Sequence, residues 1–198
     1  MERPSASHNI TQLLESMHAG NSAAFDKLFP LIYKELLSLA RRKLVNFPTF
    51  QTFDSVALVN EVYINLMGAA PQIISKNRAQ FFALASKAMR RILIDYARKK
   101  HRIKRGGDAK PLPLDEAMLV FNNRNPEELI DLDAALSRLA SINEEASQVV
   151  ECRYFGGLTL EETAEALDIP VSRVRRRWAF ARAWLFNTLY SSEGETTL

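Results

Sequence analysis

Five arginines, Arg173, Arg175, Arg176, Arg177 and Arg182, fall between Ser172 and Phe186 with no acid among them. A guanidinium presents donors in a planar fork and keeps its proton, so such a cluster offers recognition of phosphates and base edges rather than bond breaking. At about 100° per residue, Arg175 and Arg176 point away from the apolar stripe Val174, Trp178, Ala181 and Leu185. Arg173 lies near them, and Arg177 and Arg182 flank the stripe. A second cluster comes earlier. From Lys76 to Arg105 there are eleven Lys or Arg against one acid, Asp95. Solvated helix faces usually mix signs, so this run reads as a second polyanion footprint. The plain alternative for either cluster is a solvated basic face.

Nothing in the chain points to catalysis. No phosphate-cradling glycine loop, dinucleotide fingerprint or nucleophile elbow occurs. The paired acids Asp115-Glu116, Glu127-Glu128 and Glu144-Glu145 sit at linker or helix-start positions, where capping or solvation accounts for them. The single cysteine, Cys152, excludes an intrachain disulfide and reads as small core filler. His8, His18 and His101 have no metal-ligand spacing. The expectation is a non-enzyme with no metal and no cofactor. A net charge of +3 and a pI of 9.1 are modest, but the uneven placement of charge suits a polyanion partner. No apolar run approaches ~18 residues and the N-terminus MERPSASHNI lacks a signal-peptide core. That gives a cytoplasmic protein without a membrane span as the expectation.

The elements that must position the arginines are helical almost throughout, with seven glycines and no alternating strand run. The expected fold is all-α: two small helical domains, residues 9–103 and 128–190, joined by a flexible linker over 104–127. Thr159 with Glu162 three residues on is a capping box. Leu160, Ala164 and Leu167 share one face, Asp168 lies at a turn that suits positive φ, and Pro170 forbids continuation. Ser172 is expected to cap the basic helix that follows. Together this is a helix-turn-helix. Leu129–Ala140 and Asn143–Tyr154 read as two supporting helices, the latter ended by Gly156-Gly157. From Asp108 to Glu128 five acids face two bases, and Pro111, Pro113 and Pro126 argue against regular structure.

In the first half, residues 1–8 read as disordered, followed by a short helix from about Ile10 to Ala19. A long helix, expected to be capped by Ser22, tolerates Pro30 as a kink. Another starts at Asp54 or Ser55. Its Leu58, Val59, Val62 and Leu66 suit a core. That leaves Ala57, Asn60, Glu61 and Ile64 together, either as a docking surface or buried between neighbours. The basic helix runs from about Gln80 to His101. Phe81, Ala85, Met89, Ile92 and Tyr96 face inward, with Lys87, Arg90, Arg91, Ile94 and Arg98 opposite.

Three stretches carry a resemblance: LVNEVYINLM, then FFALASKAMRRILIDYARKK, then VVECRYFGGLTLEETAEALDIPVSRVRRRWAFARAWL. They resemble the sigma-70 family, and within it the small extracytoplasmic-function (ECF) sigma factors that keep only regions 2 and 4, in an ECF-like subgroup. The likeness covers about Ala24 to Leu189. It implies a promoter-specificity subunit of bacterial RNA polymerase. Region 2 would bind the clamp of the polymerase largest subunit through the Asp54–Leu66 helix, with Asp54, Leu58, Glu61, Val62 and Asn65. The −10 element would meet Ser75, Lys76, Asn77, Arg78 and Phe81, with Lys87, Arg90 and Arg91 along the helix; a loop and an aromatic can capture an unstacked base. The −35 element would be read in the major groove by Ser172, Arg173, Arg175 and Arg176, with Arg177 and Arg182 on phosphates. The partners implied are core polymerase and both double-stranded and melted promoter DNA, with an anti-sigma factor as a further candidate.

The chain departs from the family in three places. Val56 and Ala57 stand where many ECF factors carry acids, and only Asp54 remains upstream; Thr52 and Ser55 are nearby hydroxyls whose phosphorylation would supply charge. Asp168 replaces a turn glycine. Arg177 stands where close relatives often carry an acid. Two other readings stay open: a stand-alone helix-turn-helix regulator that does not bind core polymerase, and an interaction module such as an anti-sigma decoy. The second basic helix, preceded by a loop and an aromatic, favours a sigma factor, because a plain repressor has no need of it.

Overall fold

The structure, a computed structural model, describes residues 3–18, 21, 23–45, 54–68, 77–103 and 126–190. All regular structure among the described residues is helical: α1 (Arg3–His18), α2 (Ala23–Val45), α3 (Ser55–Gly68), α4 (Arg78–Ile103), α5 (Pro126–Ile142), α6 (Glu144–Val150) running into a π-helical turn (Glu151–Phe155), α7 (Leu160–Leu167) and α8 (Val171–Tyr190). The chain is all-α, as its composition and periodicity predict. Residues 104–125, most of the expected linker, lie outside the described residues, as do Ser22, Thr52, Ser75 and Lys76.

Helix starts follow local side-chain chemistry. Asn21 Oδ1 accepts from the Ala23 amide at 3.1 Å and opens α2. Asp54 Oδ1 accepts from Val56 N–H at 3.1 Å, so Asp54 is the residue that starts α3. Asn77 Oδ1 takes the Gln80 amide at 2.8 Å, so α4 begins at Arg78, earlier than its apolar stripe suggests. Pro126 opens α5 instead of breaking it, because the first helical position needs no N–H donor. Likewise α1 begins at Arg3 rather than near Ile10: Ile10 and Leu14 are anchored in the core, and the helix extends back from that anchor. Pro30 is accommodated inside α2 with its ring exposed to solvent.

In the first half α2 packs on α1 and α3, and α3 on α4. In the second, α5 and α6 form a hairpin, and α8 lies against α5, α6 and α7. The two halves are in contact. Helix α4 packs on α5, on the π turn and on α7. One apolar cluster accordingly runs through both halves, from Ile10, Leu36, Leu58 and Met89 to Leu129, Leu136, Phe155 and Leu185. A smaller cluster of Val149, Ala164 and Val174 fixes the helix-turn-helix pair to α6.

Candidate nucleic-acid interface

The helix-turn-helix is built as its sequence implies, with one correction. Thr159 Oγ1 accepts from the Glu162 amide at 3.1 Å, and Glu162 Oε2 accepts from the Thr159 amide at 2.8 Å. Asp168 closes α7 in the left-handed region at φ 53°. The cap of α8 is not Ser172. Helix α8 begins at Val171, and the Pro170 carbonyl accepts from the Arg173 and Val174 amides at 2.8 and 3.1 Å. Pro170 ends the preceding turn with a carbonyl free to start the helix, so Ser172 is already inside the first turn, with its side chain exposed. Val174, Ala181 and Leu185 are buried and Trp178 half-buried.

Burial of that stripe dictates what faces outward. Arg175 and Arg176 are exposed, and among the described residues neither has an ion-pair partner. Arg173 and Arg177 are held differently. Glu145 of α6 binds Arg177 Nε at 2.5 Å and Arg173 Nη2 at 2.8 Å. The Arg177 hydrogen bond, aided by Arg173, holds the Glu145 carboxyl below its ordinary pKa against the opposing effect of burial. Arg182 is half-buried at the edge of the stripe. The outer face of α8 therefore presents two unpaired arginines beside two that are braced from behind.

The second basic helix, α4, is arranged otherwise. Lys87 and Arg91 are exposed, and among the described residues neither is ion-paired. Arg78 and Arg90 are occupied. Arg78 binds Glu35 Oε2 at 2.5 Å and Glu162 Oε1 at 2.7 Å, and lies 4.7 Å from the Phe82 ring centre. Burial opposes its charge, but Glu35 and Glu162 outweigh that and raise its pKa. Arg90 binds Asp133 Oδ1 at 2.8 Å and also Glu151. Arg98 reaches Asp133 Oδ2 at 3.0 Å, and His101 Nε2 lies 3.0 Å from Glu127 Oε1. Ile94, expected on the outer face, is 3% exposed, because the second half covers that side of the helix. A cleft of about 260 Å³ remains between Lys87, Arg90, Arg91 and Arg98 on one wall and Asp133 and Glu151 on the other.

Phe81 is 3% exposed, with its ring edge-on to Phe82 at 5.6 Å. It is a core residue directly behind the start of α4. On α3, Leu58 and Val62 are fully buried while Asp54, Ala57, Asn60, Glu61, Ile64 and Asn65 are exposed, Ile64 at 67%. The two open alternatives for this helix resolve to an exposed face. Asn60 accepts from the Tyr33 hydroxyl at 3.4 Å, and Asn65 donates back to the Glu61 carbonyl at 2.9 Å.

Sequence reading missed the pairing of Glu35, Asp133, Glu145 and Glu151 with arginines. Periodicity shows only that they face away from an apolar stripe; which base each meets depends on how helices distant in sequence cross. It also missed Arg153, whose guanidinium lies 5.3 Å from the Trp178 ring centre and donates to the Leu158 carbonyl at 2.9 Å, tying the Gly156-Gly157 turn to α8. Among the described residues there is no cluster of His, Cys, Asp and Glu that could hold a metal, and no helix is long and apolar enough to cross a membrane. Cys152 is buried, which with the Glu151 charge pushes its thiol up to about 12.

A family model described as ECF sigma factor matches residues 7–191. No curated protein matches the chain.

Proposed function

This chain belongs to the ECF sigma factor family, and on that premise we propose that it binds core RNA polymerase and directs it to promoters by reading −10 and −35 elements. Its role is in transcription initiation; the polymerisation chemistry belongs to its partner. The observation that carries the −35 assignment is the pair Arg175 and Arg176, exposed and without an ion-pair partner among the described residues, on the outer face of a helix whose other face is buried. Such a helix enters the major groove with its first turns toward the bases, where Arg reads guanine bidentately. Ser172 and Arg173 lie on those same turns, and Arg177 and Arg182 would hold phosphates.

In this reading residues 9–103 form a region 2 domain, 104–127 the linker and 128–190 a region 4 domain. The exposed face of α3, with Asp54, Glu61, Asn65 and Ile64, docks on the clamp of the polymerase largest subunit. Leu58 and Val62 act from behind, fixing the helix to the core. The −10 element meets Ser75, Lys76, Asn77 and Arg78, and Lys87, Arg90 and Arg91 along α4, with Phe81 supporting the start of that helix from inside. An anti-sigma factor is a further partner of this class of surface.

A pull-down with core polymerase followed by run-off transcription tests the proposal. The chain should be retained on core and should direct initiation from a defined site. Retention on DNA without either property would make it a stand-alone regulator. On the promoter so found, Arg176→Ala should relax preference at one −35 base pair, costing about 1–3 kcal/mol. Equal losses on all sequences would move Arg176 to a phosphate contact.

A further inference from the structure

We propose that Phe180 reads a thymine methyl group in the −35 element, beside the base pair that Arg176 reads. The proposal rests on the −35 assignment above and adds a residue and a base identity that the assignment does not contain. Phe180 is 42% exposed on α8 and belongs to neither apolar cluster of the fold. Its ring therefore contributes little to the core and stands in water on a helix already aimed at DNA. The major groove offers such a ring one apolar group, the C5 methyl of thymine, and Phe is among the side chains that contact it. Bringing the two together removes apolar surface from water on both sides.

The place of Phe180 on the helix selects the partner. At about 100° per residue, Arg173, Arg176 and Phe180 recur at i, i+3 and i+7 and form one stripe. That stripe is turned away from Val174, Ala181 and Leu185, which are buried. Ala179 and Ala183, both exposed, lie beside it, so no bulky neighbour there holds the helix off the groove floor. Arg176 and Phe180 are one turn apart, about 6 Å along the axis at 1.5 Å per residue. Helical side chains lean toward the N-terminus, which brings the ring back toward the turn of Arg176. Successive bases on one strand are about 3.4 Å apart. The methyl therefore belongs to a thymine within about two base pairs of the one Arg176 reads.

The other aromatics of α8 are placed differently. Phe186 and Tyr190 lie at the far end of the helix and face each other, ring centres 5.5 Å apart. Trp178 and Trp184 are half-buried and pack against the core. Phe180 is the aromatic that follows the exposed arginines by one turn. The two side chains discriminate by different means. Arg176 selects by hydrogen bonds to a base edge, and Phe180 by apolar contact. Cytosine, the other pyrimidine, has no methyl at C5 and presents an amino donor instead, so the ring separates the two.

The test removes the methyl and the ring in turn. The full chain selects duplexes from a randomised library, in one arm bound to core polymerase and in the other alone. Anisotropy then reads affinity for the selected duplex and for the same duplex with each thymine of the site replaced by deoxyuridine, which lacks only the methyl. For the parent, one replacement, within about two base pairs of the pair that Arg176→Ala relaxes, should weaken binding. The loss should be roughly fourfold, the size expected for taking one methyl group out of water. For Phe180→Ala, thymine and deoxyuridine should bind alike. Phe180→Leu should keep part of the thymine preference and Phe186→Ala all of it. Circular dichroism confirms that the variants fold. A selection that returns no such thymine in either arm, a methyl effect that persists in Phe180→Ala, or a uniform loss on all sequences overturns the proposal. So does loss of core retention in Phe180→Ala with the thymine preference intact, which would make the ring a protein contact. If the methyl effect is lost with the ring as expected but the chain with core never initiates, the Phe180 contact stands and the sigma reading fails. If initiation proceeds and the methyl makes no difference, the Phe180 contact alone fails.

Discussion

Asp168 shows how much one backbone angle asks of one residue. At φ 53° it sits where most L-residues meet a steric penalty, and it joins α7 to α8. Asp tolerates this region better than most because its short polar side chain bonds locally. Asp168→Val, β-branched and without that option, should lower stability by about 1–2 kcal/mol in urea unfolding, while Asp168→Gly should not. An unperturbed valine variant would mean the turn relaxes to negative φ. This position was legible in the sequence, because the capping box on one side and Pro170 on the other leave few residues for the turn. The acids that meet the arginines were not legible. Asp133 and Arg90 are far apart in the chain, and no local pattern pairs them.

Among the elements, α6 and α8 form the mechanically interesting pair, because one carboxylate on α6 braces the reading helix. Glu145 has its pKa lowered first by the Arg177 hydrogen bond and then by Arg173, while burial acts the other way. A carboxylate held below its ordinary value contributes stability that is present above that value, 4.5, and lost as pH falls through the lower folded value. The melting temperature of the parent should therefore exceed that of Glu145→Gln above pH 4.5, and the difference should shrink on further acidification. A constant difference across the titration would assign Glu145 a packing role instead. Helix α3 teaches the complementary lesson. Its composition is apolar on nearly every side, so periodicity left its outer face ambiguous; only the packing of α2 and α4 on one side shows that Ile64 is exposed.

For the whole molecule the decisive feature is the single apolar cluster joining the halves. Trp178 and Trp184 both lie in α8, so their fluorescence reports the second half, whereas far-ultraviolet dichroism reports all the helices. In urea the parent should lose both signals in one coincident transition. In the Asp133→Asn/Glu151→Gln variant the two should separate. Non-coincident curves in the parent would mean the halves fold independently.

By itself the sequence determined the helical class, the capped helix-turn-helix, the outward aim of Arg175 and Arg176 and the family resemblance. Each of these is written in spacing over a few turns, where apolar period, cap chemistry and breakers act locally. Tertiary structure decided which positive charges are available. Electrostatic pairing acts through space, so Arg78 and Arg90, indistinguishable in the sequence from Arg91, became occupied only when α2, α5, the π turn and α7 were laid against α4.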